Sequence, residues 1–148
     1  MTWRLTVAAV IEREGRYLLV EEADASGERV FNQPAGHVEP GESVLDAVIR
    51  EVREETGLVF TPTAFVGLYQ LRAADGRDYV RVCFAGTVGP GTPVPQDADI
   101  LGCRWVEAGD LPGLPLRSPL VRRCAEAWEA GQRWPLEVAS TFLQAPRP

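Results

Sequence analysis

The stretch Gly36-His37-Val38-Glu39-Pro40-Gly41-Glu42-Ser43-Val44-Leu45-Asp46-Ala47-Val48-Ile49-Arg50-Glu51-Val52-Arg53-Glu54-Glu55-Thr56-Gly57-Leu58 decides how the rest of the chain is read. Its centre has the pattern of a helix. Ser43 is a good N-cap, and Asp46 three residues later resembles a capping box with Asp in place of Glu. Gly57 suits the left-handed position that ends a helix. Val44, Ala47 and Val48 make an apolar side that can face a core. One and two turns further on, the same side carries Glu51, Glu54 and Glu55, spread over roughly 100° of the helical wheel.

Those glutamates are poorly placed for an isolated helix. Glu51 and Glu55 repel each other at the i, i+4 spacing. They also stand near the negative end of the helix dipole. Two local rules broken within one turn are characteristic of a functional site. Two readings follow. In the first, this is a solvated charged face, with Arg50 and Arg53 as intrahelical partners. In the second, a hard dication sits among the carboxylates. Carboxylate oxygens are the ligands Mg²⁺ prefers, and coordination turns the repulsion into attraction.

Outward from this helix, the pattern alternates strands and turns. Leu5 to Glu12 and Tyr17 to Glu22 read as strands around a hairpin turn at Arg13 to Arg16. Arg29 to Gln33 is a short strand ended by Pro34. Thr63 to Arg72 and Asp78 to Val88 are longer strands joined by a turn containing Asp75-Gly76. Residues 88–99 are rich in Gly, Pro and Asp and read as a loop. Gly102 to Val106 is a further strand. Ser118-Pro119 opens a second helix that runs to Ala130 and stops at Gly131. This mixture predicts an α+β layered fold, with residues 1–148 as one domain.

Composition narrows the function classes. The chain has 148 residues and 16.2 kDa, enough to bury a core. Fifteen basic residues against twenty-one acidic ones give a net charge of −6. A nucleic-acid polymer is a poor partner for such a chain, because that binding rests on Lys and Arg displacing counterions. An anionic ligand would need local positive charge, which a bound cation supplies. No apolar run reaches membrane-spanning length, and Val7 to Ile11 is too short for a signal-peptide core. A cytoplasmic protein is expected, as monomer or homodimer. Cys83, Cys103 and Cys124 have no metal-ligand spacing and read as buried thiols in a reducing compartment.

The spacing Gly36, five residues, Glu42, seven residues, then Arg50-Glu51-Val52-Arg53-Glu54-Glu55-Thr56-Gly57-Leu58 resembles the Nudix box at every defined position. The resemblance implies an α/β/α sandwich with a mixed sheet and a loop–helix–loop box. It implies hydrolysis of a phosphoanhydride in a small-molecule pyrophosphate, with Mg²⁺ or Mn²⁺ as cofactor. It implies metal ligation by Glu51, Glu55 and Glu54 and by the Ala35 carbonyl. Arg50 would orient the glutamates by salt bridge. Glu54 or Glu51 would be the general base, with Asp97 and Asp99 of the later loop as alternatives that also read as plain turn residues.

Four further segments resemble a bacterial phosphatase branch of the same family. They are Phe31 to His37, Cys103 to Val106, Leu116 to Val121 and Gly131 to Glu137. That resemblance implies orthophosphate release. The substrates would be nucleoside tri- and diphosphates, taken to monophosphates, and hydroxymethylpyrimidine pyrophosphate. The alternatives are a pyrophosphohydrolase cutting a nucleotide sugar, ADP-ribose or a dinucleotide, and a non-catalytic nucleotide sensor. The sensor is disfavoured because every box carboxylate is present.

Candidate substrate contacts are His37, Gln33, Arg81, Glu39 and Phe31. His37 lies in the box loop and can meet phosphate. Gln33 can hydrogen-bond a base edge or phosphate. Arg81 alternates with Tyr79 and Cys83 on one strand face and either enters a cleft or faces solvent. Phe31 and Tyr69 either stack on a pyrimidine or belong to the core. Glu39 follows His37 in the box loop.

Overall fold

The computed structural model describes residues 1–145 and 147–148. Strand β1 (Trp3–Arg13) turns into β2 (Arg16–Ala23) through Glu14 and Gly15, both with positive φ, the pattern of a tight hairpin turn. Two short strands follow, β3 (Arg29–Asn32) and β4 (Ala35–His37), and then helix α1 (Val44–Thr56). The long pair β5 (Phe60–Arg72) and β6 (Asp78–Val88) comes next, then β7 (Gly102–Glu107) and helix α2 (Pro119–Glu129).

The sheet is mixed. Its main path runs β3-β2-β1-β6-β5. β1 and β6 are parallel, in register from Trp3 opposite Asp78 to Ile11 opposite Gly86. The other pairings are antiparallel, including β4 on β1 and β7 on β2. Successive side chains of β1 and β6 feed opposite faces, as a strand's period of two requires. Val7, Ala9, Ile11, Val82 and Phe84 pack with Ala47, Val48 and Val52 of α1. Val10, Cys83 and Ala85 pack with Val121, Cys124 and Ala125 of α2. The result is the α/β/α sandwich expected of the Nudix resemblance.

Both helices begin as read. Ser43 Oγ accepts the Asp46 N–H at 3.0 Å, and Ser118 Oγ accepts the Leu120 N–H at 3.2 Å. Gly57 ends α1 with φ 74°. Some details differ from expectation. β5 starts at Phe60 rather than Thr63. Pro62 is tolerated there because β5 is an edge strand and the ladder shifts register between Pro62 and Ala64. β4 has only three residues, too few for a periodic signal. Cys83 and Cys124 are buried as read, but Cys103 is only half-buried, and its thiol points at the Glu55 carbonyl oxygen 3.3 Å away.

Candidate active site

The site is built where β4 meets the last two turns of α1. β4 lies against Thr6, Val7 and Ala8 of β1, so Ala35, Gly36 and His37 are held on a rigid strand. Glu55 is buried, and its Oε1 accepts the Ala35 main-chain N–H at 2.8 Å. Glu51 is also buried, with its carboxylate against the bare Cα of Gly36. A methyl group on Gly36 would overlap that carboxylate. The box glycine is thus a steric requirement of Glu51.

Arg50 ties the acidic groups together. Its Nη1 donates to Glu51 Oε1 at 2.8 Å and to Glu54 Oε2 at 3.2 Å. Its Nε and Nη2 grip Glu42 in a fork at 2.7 and 2.9 Å, and Nη2 also donates to the His37 carbonyl at 2.9 Å. One guanidinium therefore joins the loop, the strand and the helix, which suits its planar set of donors.

The electrostatics divide the carboxylates. Burial pushes the Glu55 carboxyl up to about 9, opposed by the Ala35 N–H and reinforced by the charges of Glu22, Glu51 and Asp97. Burial also raises Glu51, against the pull of Arg50. Glu42 is lowered by its hydrogen bonds to Arg50. A solvated charged face does not describe this helix: Glu51 and Glu55 face inward at 9% and 6% exposure. Glu54 is the more open of the three, its side chain 45% exposed.

The loop after β6 closes the helix end. Gln96 and Asp97 donate main-chain N–H groups to the Glu54 carbonyl at 2.8 and 2.9 Å, and Val94 donates to Thr56 at 2.7 Å. Asp97 is near enough that its charge acts on both Glu51 and Glu55. Asp99 is exposed and donates its N–H to the Asp97 carboxylate.

Beside Glu55 a cleft of about 460 Å³ opens. Ala35, Gly36, His37, Glu55 and Arg81 are among its lining residues. Leu71, Ala73, Tyr79, Leu116 and Leu120 supply apolar wall, and the Tyr79 ring lies 6.1 Å from that of His37. Glu51 and Glu54 are outside this lining, on the Arg50 side of Glu55. Glu22 and Asn32 line the cleft and were missed in the sequence. Nothing separates Glu22 from an ordinary strand glutamate until the pairing of β2 with β3 is known.

Three candidate contacts lie outside the lining of this cleft. Gln33 is 3% exposed and does not line the cleft. Its Nε2 donates to the Ala9 carbonyl at 3.2 Å, and its Oε1 accepts from Arg81 Nη1 at 3.2 Å. Phe31 is 5% exposed in the α2-side core, under the Arg104 guanidinium. Glu39 is exposed at 3.8 Å from Arg50, away from the cleft lining. His37 and Arg81 do line it. Arg81 is buried, so it is not a solvent-facing sheet arginine.

Among the described residues, no three His, Cys, Asp or Glu side chains converge into a cage for a metal ion. The donor set nonetheless fits Mg²⁺. That ion keeps several waters and takes one or two carboxylates together with substrate phosphates. Two desolvated carboxylates with raised pKa values are ready to exchange a proton for a cation.

Two buried glutamates on the last turns of a helix, Glu51 braced by Arg50 and Glu55 lining a cleft, are the arrangement expected of a hydrolase of phosphorus-containing anhydrides with this box. A model of the NUDIX domain matches residues 2–127, and the chain belongs to the Nudix family. Within that family it is similar to Phosphatase NudJ of Escherichia coli K12, 41% identical over 140 residues, 93% of this chain and 91% of the relative. Phosphatase NudJ of Shigella flexneri is similar to the same degree. Among solved structures, a NUDIX hydrolase from Nitrosomonas europaea is 40% identical, with TM-score 0.90 over 95% of this chain and 98% of that one. The E. coli ORF135 protein is 32% identical, with TM-score 0.69 over 88% of this chain and 91% of that one.

Proposed function

We propose that this chain is a Mg²⁺-dependent phosphatase of small organic pyrophosphates, working in the cytoplasm. It takes nucleoside tri- and diphosphates to monophosphates and hydroxymethylpyrimidine pyrophosphate to its monophosphate. The observation that carries the reading is the buried pair Glu51 and Glu55, with Glu55 in the wall of a cleft lined by both polar and apolar side chains. The similarity to Phosphatase NudJ supports orthophosphate release.

In this reading Glu55, Glu51 and Glu54, with the Ala35 carbonyl, would hold the cation, with Mn²⁺ as a substitute. When bound, it neutralises phosphate oxygens and makes a nucleophilic water accessible at neutral pH. The protein does the rest. Arg50 keeps Glu51 and Glu54 aligned. Glu54, the most open carboxylate, accepts the proton of the attacking water. His37 and Arg81 of the cleft lining meet phosphate oxygens. The apolar wall of Leu71, Tyr79, Leu116 and Leu120 holds the organic group and sheds water from it.

The test is product analysis by ³¹P NMR with Mg²⁺, using hydroxymethylpyrimidine pyrophosphate, ADP, ATP and ADP-ribose. Orthophosphate is the expected product of the first three. Glu55→Gln should lower turnover by about a thousandfold with the fold intact, roughly the loss of a metal-held carboxylate. Cleavage of ADP-ribose into two monophosphates, with no orthophosphate from the others, would replace this reading by a nucleotide pyrophosphohydrolase.

A further inference from the structure

Arg81 is a buried cation with an unusual partner. At 9% exposure its only hydrogen-bond acceptor among the described residues is Gln33 Oε1, 3.2 Å from Nη1, and its Nε has none. The acceptor is a neutral amide. Buried arginines are ordinarily balanced by a carboxylate. Here the charge is left uncancelled at its first contact, in the wall of the cleft that also holds Glu55.

Gln33 is itself buried and held at both ends of its amide. It is 3% exposed, in the passage between β3 and β4. Its amide nitrogen donates to the main-chain carbonyl of Ala9 in β1 and approaches Cys83 Sγ on β6 at 3.7 Å. The amide therefore spans from the central strand of the sheet to the guanidinium. Only an amide satisfies both ends, since the nitrogen must donate and the oxygen must accept. A glutamate would lose the bond to Ala9 and neutralise Arg81. A leucine would fill the space and hold nothing.

We infer that Gln33 is a positioning residue that fixes Arg81 in the cleft wall while leaving its charge free for a diphosphate. The role rests on the reading of Arg81 as a phosphate contact. Gln33 never touches the ligand. It acts by setting the direction of the guanidinium and by declining to pair with its charge. The consequence is a coupling. Once Gln33 is lost, Arg81 contributes little to diphosphate binding, and once Arg81 is lost, Gln33 contributes little.

A double-mutant cycle tests this on the full chain, with methylenediphosphonate as a non-hydrolysable probe and Mg²⁺ present. Calorimetric Kd values are measured for wild type, Gln33→Leu, Arg81→Lys and the double variant. Gln33→Leu and Arg81→Lys are each expected to weaken binding about tenfold, the effect of one charge-assisted hydrogen bond. The double variant should be no weaker than the worse single one. Wild-type affinity in Gln33→Leu, or losses that multiply, would overturn the inference. Gln33→Glu decides the matter if Gln33→Leu does not fold. It keeps shape and one acceptor but cancels the charge, so it should bind diphosphonate about tenfold more weakly, and unchanged binding would overturn the inference. Failure of wild type to bind the diphosphonate overturns it as well. Phosphate release by wild type is scored separately and bears on the enzyme reading alone.

Discussion

The two helices lie on opposite faces of one sheet and begin alike, yet they end differently. Both have a serine N-cap, and both pack on alternate residues of β1 and β6. The buried face of α2 is apolar throughout: Leu120, Val121, Cys124, Ala125 and Ala127. The buried face of α1 starts as Ala47, Val48 and Val52, then turns to Glu51 and Glu55. Burying a carboxylate is costly unless it is paired or hydrogen-bonded. α1 meets that condition with Arg50 and the Ala35 N–H, and the bare Cα of Gly36 leaves room for the Glu51 carboxylate. The difference teaches that the carboxylates are tolerated because of their surroundings.

The sharpest way to break the contrast is to move a carboxylate to the other helix. Ala125→Glu places one against the α2-side core, among the apolar side chains of Val10, Leu19, Leu111 and Val121. It should destabilise the protein by about 4 kcal/mol in urea titration, the cost of an uncompensated buried charge. A near-neutral effect would show that this sheet accepts carboxylates anywhere.

A second test uses pH on metal-free protein. Glu55 is raised from 4.5 to about 9 in the folded chain, chiefly by burial. The folded state therefore binds its proton more tightly than the unfolded state does. The associated stability is full below about pH 4.5 and is lost as pH rises through about 9. Stability should fall by about 3 kcal/mol between pH 5 and 9, roughly half the ceiling set by the full shift. Glu55→Gln should flatten that slope, and Mg²⁺ should reverse it for wild type. A slope that persists unchanged in Glu55→Gln would assign the effect elsewhere.

Removing the brace is the third. Arg50→Met leaves Glu42, Glu51 and Glu54 unpaired and should cost about 2 kcal/mol at pH 8, measured by thermal unfolding. The loss should shrink as pH falls, because burial raises Glu51 above the usual carboxylate range. The smallest effect belongs to what the helices share. Ser43→Ala and Ser118→Ala should each cost about 1 kcal/mol, and by similar amounts, because each removes one capping hydrogen bond. A much larger loss at one cap would mean that the helices do not begin alike.

These contrasts follow what the sequence could and could not convey. The extent of α1 was legible from Ser43, the apolar side and Gly57, because caps and periodicity are local. The glutamates stood out because they broke local rules. The burial of Gln33 was not legible because the passage from β3 to β4 has no periodicity, and for Phe31 of β3 the sequence left stacking and core packing both open. Their directions depend on β1, β6 and α2, far away in sequence. Glu22 was missed for a related reason, since only its pairing neighbours bring it to the cleft. Asp97 reads as a turn residue until its N–H is seen on the Glu54 carbonyl.

That last contact has a consequence in time. The helix and its carboxylates can form from neighbours in sequence, but closure of the site waits for the 94–97 loop to return from the far end of β6 onto Glu54 and Thr56. Local contacts form before distant ones. A chain caught partway through folding would thus carry all its glutamates and still lack Asp97 beside them. Recovery of phosphate release during refolding would then trail the return of helical signal, reporting the arrival of the whole chain.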